Sequence, residues 1–393
     1  MPKLTVRQLA LAGQRVFLRA DLNVPLDGGA VGDDTRLAAV LPTVRHCLDG
    51  GASVLLASHL GRPKGKREDK YSLAPVAKRL TDLLALPVPL APDCVGDATR
   101  TQAEAIRAGE ILLLENLRFH AEEEANDAEF ARALAAPATC YVDDAFAAAH
   151  RAHASIVAIT RFLRPAAAGL LMERELDSLG RILERPERPL LAILGGAKVS
   201  DKLALVRHLL GRVDALVIGG AMAFTFLKAQ GHGIGRSLFE PDLTEMARQV
   251  LDEARRAGVR IVLPVDVVAA AGVDAIDGRP VSVSEIPHDL MGLDVGPRSV
   301  EQFAEVVRGA STIVWNGPMG VFEKTPFAAG TFAVANAVAS ARGFSVVGGG
   351  DTIAAVQRAG VADRIGYIST AGGAFLEFLE GRSLPGVEAL TDA

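Results

Sequence analysis

Short apolar runs that alternate with helical segments constrain this chain most. The runs cover residues 15–19, 53–57, 111–114 and 140–142, then 190–194, 215–218, 260–263, 312–315, 345–347 and 364–368. Each is followed by a turn bearing glycine or charge. Between them lie segments with helical apolar spacing, including 73–86, 127–135, 244–257 and 300–308. A continuous apolar run suits a strand covered on both faces, and strand–helix alternation predicts parallel sheets with helices on both sides. The expected class is therefore α/β.

Length divides this pattern. At 393 residues and about 150 residues per domain, the chain calls for two domains. The segment 169–189, GLLMERELDSLGRILERPERP, reads as a charged helix followed by prolines and is the best boundary. The expected division is an N-terminal lobe over 1–170, a hinge helix over 171–188 and a C-terminal lobe over 189–376. Lys and Arg number 42 against 47 Asp and Glu, a net charge of −5, so no global field attracts nucleic acid or an anionic membrane. Cys47, Cys94 and Cys140 lack CxxC spacing, which argues against a disulfide framework or a zinc site and fits a reducing compartment. Residues 1–16 show no signal-peptide core, and no stretch is apolar enough to span a bilayer. A cytoplasmic protein is expected.

Ligands of open α/β sheets sit beyond the carboxyl ends of the strands, so the residues there are the candidates. The first half offers Asp21, Asn23, His59, Arg62, Arg118 and Arg151, with Arg36 at a helix start. Forked guanidinium groups suit a small dianion or trianion. Singly, each arginine reads more readily as a solvated or salt-bridged surface group. The second half offers Gly195-Gly196-Ala197-Lys198, Gly219-Gly220, Asn316-Gly317-Pro318, Gly348-Gly349-Gly350-Asp351-Thr352 and Gly372-Gly373. Glycine turns let backbone N–H groups approach phosphates, and Asp351 can hold Mg²⁺ beside them. A tight strand–helix turn explains the same glycines without a ligand. Helical spacing from Val199 predicts that Lys198 and Lys202 share one face near a helix start, as a polyphosphate site would use; two solvated lysines are the alternative.

Absences narrow the reaction. GxxxxGKS/T, GxGxxG after a strand, an HRD loop and GxSxG are all missing, which removes support for a P-loop enzyme, a nicotinamide dehydrogenase, a protein kinase and a serine hydrolase. The basic stretch 62–67 has no interleaved aromatics, so it does not read as a nucleic-acid surface.

Several motifs in order resemble the phosphoglycerate kinase family: DLNVPLD (21–27), DDTR (33–36), SHLGRPKG (58–65), ENLRF (115–119), DAFAAAHRAHAS (144–155), GGAKVSDK (195–202), GGAMAFTFL (219–227), LPVDVV (263–268), WNGPMGVFE (315–323) and GGGDT (348–352). The resemblance implies two Rossmann-like three-layer lobes joined by a hinge helix, with the last residues, from about 377 to 393, returning to the N-terminal lobe. It implies that 3-phosphoglycerate or 1,3-bisphosphoglycerate binds Asp21, Asn23, Arg36, His59, Arg62, Arg118 and Arg151. It places ADP or ATP on Gly195, Lys202, Gly219, Asn316, Pro318, Glu323, Gly348, Gly349, Gly350, Asp351 and Thr352, with Mg²⁺ on Asp351 and the nucleotide phosphates. Arg36, Lys198, Lys202, Gly350 and Gly373 would stabilise the moving phosphoryl group, and no tightly held cofactor is needed. A monomer is expected, with no nucleic-acid or membrane partner.

Two departures stand out. DDAF replaces the family's usual NDAF with Gly-Thr after it, so Asp143, Ala147 and Ala148 are unusual, and Ala371 stands where the first of three glycines is usual. The second departure puts a backbone angle in doubt.

Overall fold

The computed structural model describes residues 2–393. They form two compact units, one running through Leu176 and including Ser383–Ala393, the other spanning Asp177–Arg382. The division falls inside the helix Leu170–Leu183, which the sequence marks as the charged connector.

In the first unit β1 (Arg15–Ala20) is followed by a two-residue ribbon, β2 (Leu26–Asp27) and β3 (Ala30–Val31). Then come β4 (Ser53–Ala57), β5 (Ile111–Leu113), β6 (Cys140–Asp144) and β7 (Ala166–Ala168). The sheet order is β5-β4-β1-β6-β7, and every pairing is parallel. Val16, Leu18, Val54, Leu56, Ile111, Leu113 and Val142 of these strands bury against Leu37, Val40 and Val44 of the helix Thr35–Asp49. Asp33 starts that helix by accepting the Thr35 N–H at 2.8 Å and the Thr35 hydroxyl at 2.6 Å.

The second unit has β8 (Leu190–Leu194), β9 (Ala215–Ile218), β10 (Arg260–Val262), β11 (Asp266–Ala270), β12 (Arg279–Ser282), β13 (Met291–Val295), β14 (Thr312–Asn316), β15 (Phe344–Gly348) and β16 (Tyr367–Ser369). Its main sheet is parallel in the order β10-β9-β8-β14-β15-β16. Ile193, Val217, Ile313, Trp315 and Val347 pack against Phe303 and Val307 of one helix and Val334 and Val338 of another. The class is thus α/β as expected. Both sheets reverse their direction of growth, at β1/β6 and at β8/β14, and ligand crevices form at the carboxyl ends of such points.

The structure departs from the sequence reading in several places, one of them β7, which no expected run covers. An antiparallel sheet, β12-β11-β13, is added to the second unit. The final strand is Tyr367–Ser369, because residues 362–364 form a 3₁₀ turn instead. The return to the first unit begins at Ser383 and not near 377, because the helix Gly373–Leu379 packs on Leu203–Leu210 and the ring of His208 lies against Gly381. Among the described residues, no helix is long and apolar enough to cross a membrane.

Candidate functional site

Loops after β1, β4 and β5 of the first unit are tied to one another by side chains. Asn23 Oδ1 accepts the Gly61 N–H at 2.8 Å, and the Asn116 amide donates to Leu60 and Tyr71 carbonyls at 2.8 and 2.9 Å. Gly61 has φ +65°, and a Cβ there would overlap the Tyr71 ring, so only glycine fits this corner. Arg118, buried, donates to the Gly61 carbonyl at 3.0 Å and has Glu124 3.2 Å from its Nε. Arg36 Nη1 donates to Asp21 Oδ2 at 2.8 Å and to the Asn23 carbonyl at 3.1 Å. These bonds hold one face of Arg36, and its side chain stays 37% exposed.

His59 lies under this rim. Arg19 Nη2 sits 3.2 Å from its Nδ1. A guanidinium only donates, so Nδ1 must be the acceptor and the ring proton is assigned to Nε2. Burial, helped by Arg19, Arg118, His153 and Arg36, holds the His59 pKa well below the ordinary histidine range. The imidazole is therefore neutral.

The structure links Asp21, Asn23, Arg36 and Arg118 through these contacts, whereas His59 is held by Arg19. Arg62 and Arg151 are exposed and make no ion pair among the described residues. Arg151 still acts through space: with Arg19 it opposes the positive charge of Arg118 and His153.

Arg19 is a residue that sequence reasoning does not find. Wholly buried on β1, it donates to Ser155 Oγ at 2.9 Å and to the Ala20 carbonyl. Ser155 in turn donates to Glu123 Oε1 from its hydroxyl at 2.6 Å and to Oε2 from its backbone at 2.9 Å. Burial raises the Glu123 pKa, and Arg19 is the largest opposing charge. One cation inside the apolar run Val-Phe-Leu-Arg-Ala is the available signal.

In the second unit the glycine turns after β8, β9, β14 and β15 interlock. Gly195 N–H donates to the Asn316 carbonyl at 3.0 Å and Gly196 N–H to Pro318 at 3.0 Å. A Cβ on Gly195 would overlap the Pro318 oxygen, and one on Gly219 would overlap Met319 Sδ. Lys202 Nζ donates to the Asn316 carbonyl at 2.8 Å and to Asn316 Oδ1 at 2.5 Å. The Asn316 amide continues to the Gly348 carbonyl at 2.7 Å, while Thr352 Oγ1 accepts the Gly317 N–H at 2.7 Å. Asn316 and Thr352 are therefore engaged inside the protein and set the turn geometry. Burial lowers the Lys202 pKa to about 8, against the opposing pull of Asp351 and Asp201.

The expected pairing of Lys198 with Lys202 on one helix face is corrected. The helix begins at Leu203, with Lys202 at its N-cap and Lys198 on the preceding loop. Glu240 captures the Ser200 N–H at 3.0 Å and its hydroxyl at 2.5 Å, keeping these residues out of the helix. Lys198 is exposed and Lys202 is not.

A cavity of about 230 Å³ opens beside these turns, lined by Gly196, Gly220, Phe224, Leu293, Pro318, Met319, Val321, Glu323 and Asp351 among others. Its walls are mainly apolar, which suits a planar base, with the carboxylates of Asp294, Glu323 and Asp351 to fix orientation. The helix Gly350–Arg358 starts at Gly349, whose φ is +93° and where a Cβ would sit 2.5 Å from Asn316 Nδ2. Gly373 opens the helix Gly373–Leu379. Ala371 is buried and its φ is not in the left-handed region; Gly372, at +55°, takes that angle. Alanine at 371 is thus unstrained.

Asp351 is exposed and makes no ion pair among the described residues. One uncommitted carboxylate beside the Gly348–Gly350 turn fits Mg²⁺, which binds one or two carboxylates and completes its shell with phosphates and water.

The family model described as phosphoglycerate kinase matches residues 6–382. The chain is 54% identical over 403 residues to phosphoglycerate kinase of Acidobacterium capsulatum, and 52% identical over 393 residues to that of Pelotomaculum thermopropionicum, with 100% of both chains covered each time. It is similar in structure to phosphoglycerate kinase from Coxiella burnetii at a TM-score of 0.93 and 42% identity, covering 99% of this chain and 98% of that one. That from Pyrococcus horikoshii gives a TM-score of 0.84 at 35% identity, covering 98% of each. Matched along its length in sequence and fold, this chain belongs to the phosphoglycerate kinase family and is a phosphotransferase.

Proposed function

We propose that the chain catalyses the glycolytic reaction 1,3-bisphosphoglycerate + ADP = 3-phosphoglycerate + ATP, reversibly and by direct transfer. The observation that carries this is the chemical division of the two ligand faces. The first unit presents arginines around a neutral histidine, and the second an apolar cavity with glycine turns, a half-buried lysine and Asp351. In the ATP-consuming direction the acceptor is a carboxylate, already a nucleophile near neutral pH, so no general base is required. Neutral His59 accordingly has a binding role, with its Nε2–H as donor. Arg36 and Arg118 neutralise the phosphorylated acid, while Arg62 and Arg151 add exposed guanidinium groups. In the second unit Pro318, Glu323 and the apolar walls hold the nucleoside, with Gly195 and Gly219 shaping the floor. Lys202, Lys198 and the N–H groups of Gly350 and Gly373 face the phosphates. Mg²⁺ would be held by Asp351 together with the nucleotide phosphates, where it neutralises phosphate charge. The protein would act as a cytoplasmic monomer.

Direct transfer requires the two ligands to approach one another during turnover, and the Leu170–Leu183 helix with the Ser383–Ala393 return supplies the hinge. Small-angle scattering should show a smaller radius with both ligands bound; an unchanged radius would remove the hinge. A coupled assay with Mg-ATP should show turnover on 3-phosphoglycerate and none on unphosphorylated glycerate. Equal turnover on both would make this a kinase for another carboxylate.

Lys202 gives a second test. Its pKa of about 8 in the free protein must rise when a polyphosphate arrives beside it. Between pH 8 and 9 ADP binding should therefore take up a fraction of a proton, measured by calorimetry in buffers of differing ionisation heat. Lys202→Met should abolish the uptake; uptake unchanged in that variant would place the titrating group elsewhere.

A further inference from the structure

Outside the residues placed at either ligand face, Asp93, Cys94 and His120 bring one oxygen, one sulfur and one nitrogen atom within 4.8 Å of one another. Local structure explains the convergence. The strand-like bridge between Leu90 and Leu113, with Ala91 N–H on the Leu113 carbonyl at 2.8 Å, fixes the segment that leads to Asp93. Arg67 donates to the Pro92 carbonyl at 2.7 Å and Thr99 to the Asp93 carbonyl at 3.0 Å. His120 follows the 3₁₀ turn Leu117–Phe119, and its ring lies tilted against Phe130 with centroids 5.2 Å apart. Asp93 Oδ1 lies 2.7 Å from His120 Nε2 and accepts the Cys94 N–H at 2.6 Å. The carboxylate and imidazole are 37% and 27% exposed, while Cys94 is 3% exposed. Two ligand groups thus face an entry path and the thiol forms the floor.

We propose that Asp93, Cys94 and His120 form an open site for one divalent transition-metal ion of borderline softness, of the Zn²⁺ and Co²⁺ class. The donor set selects that class: thiolate and imidazole disfavour Mg²⁺ and Ca²⁺, and three protein ligands leave a fourth tetrahedral position for water. A tetrahedral ion needs donor atoms roughly 3.3–3.7 Å apart. The 2.7 Å contact must open to meet that spacing, and any separation near the 4.8 Å limit must contract, which side-chain rotation supplies. Charge balances, since one thiolate and one carboxylate neutralise a dication. The metal displaces the Cys94 thiol proton to solvent, and any proton on His120, so no redox partner is involved. Arg67, whose charge already disfavours a proton on His120, opposes binding, whereas Glu122 supports it. The ion would clip residue 120 to residues 93–94, two positions after Arg118 in the chain.

The test is titration of the full-length, chelator-treated protein with CoCl₂. One Co²⁺ per chain should bind with a sulfur-to-cobalt charge-transfer band in the near ultraviolet and tetrahedral visible bands. Cys94→Ser should lose the ultraviolet band, and His120→Gln should weaken binding by at least about tenfold. Because Cys94 is buried, His120→Gln with a native circular dichroism spectrum is the deciding variant, and Asp93→Asn serves as its second. Absence of a thiolate band in the parent overturns the site. So does a band that survives Cys94→Ser, which would come from Cys47 or Cys140, or binding unchanged by His120→Gln and Asp93→Asn.

Discussion

Replacing Arg36 by alanine lowers kcat by about 10² or more while ADP affinity barely moves. The guanidinium is anchored on one side only, by Asp21 and the Asn23 carbonyl, and its exposed donors are free to meet charge that develops during transfer. Phosphoryl-transfer enzymes gain roughly 10³–10⁵ in rate from an arginine used in this way. Arg36 starts a helix in the first unit and bonds to Asp21 and Asn23 of that unit, so nucleotide binding is the internal control. Asp21 loses its salt bridge in the variant, but that pair is partly exposed and is worth little to stability. A kcat within a few-fold of the parent, with folding intact, would take Arg36 out of the transition state. A loss confined to the KM for 3-phosphoglycerate would make it a binding residue alone.

Apart from β7, a three-alanine edge strand that the expected runs omit, the strands of both parallel sheets are legible because burial on two faces forces continuous apolar runs, as in Leu190–Leu194 and Ser53–Ala57. The antiparallel addition is not. β11 opens with buried Asp266, whose carboxylate caps a helix by accepting the Ser299 N–H at 2.7 Å, and β12 contains Pro280. Both residues depress a strand signal. The expectation for Lys198 and Lys202 fails for a tertiary reason: local spacing favours a helix through Ser200, and Glu240, far along the chain, overrides it. Arg19 shows the same limit from the other side. A cation in an apolar strand stands out, but its purpose depends on Ser155, Glu123 and His59, none of them close in sequence. Residues at strand ends are readable as candidates, since a parallel sheet gathers its carboxyl ends on one edge. The split between residues that face a ligand and those that brace a turn, such as Asn316 and Thr352, needs coordinates.

The departure at Asp143 leads to the second large effect. Burial, reinforced by Asp144, outweighs the Ala145 N–H and the charge of Arg19 and pushes the Asp143 pKa up to about 7. An acid whose folded pKa exceeds its unfolded value of 3.8 holds its proton more tightly in the native state. Its contribution to stability therefore falls as pH rises from about 4 to 7, and the full cost is present above 7. An asparagine in its place would keep the acceptor for the Ala145 N–H and carry no charge to bury. Asp143→Asn should thus stabilise the protein at pH 8 by on the order of 2–4 kcal/mol relative to the parent. The advantage should shrink steadily below pH 7 and vanish near pH 3.8. Denaturant unfolding across that range is the measurement. If the substitution destabilises the protein at pH 8, Asp143 is an ionised partner of Arg19, and the arginine network rather than burial sets its charge.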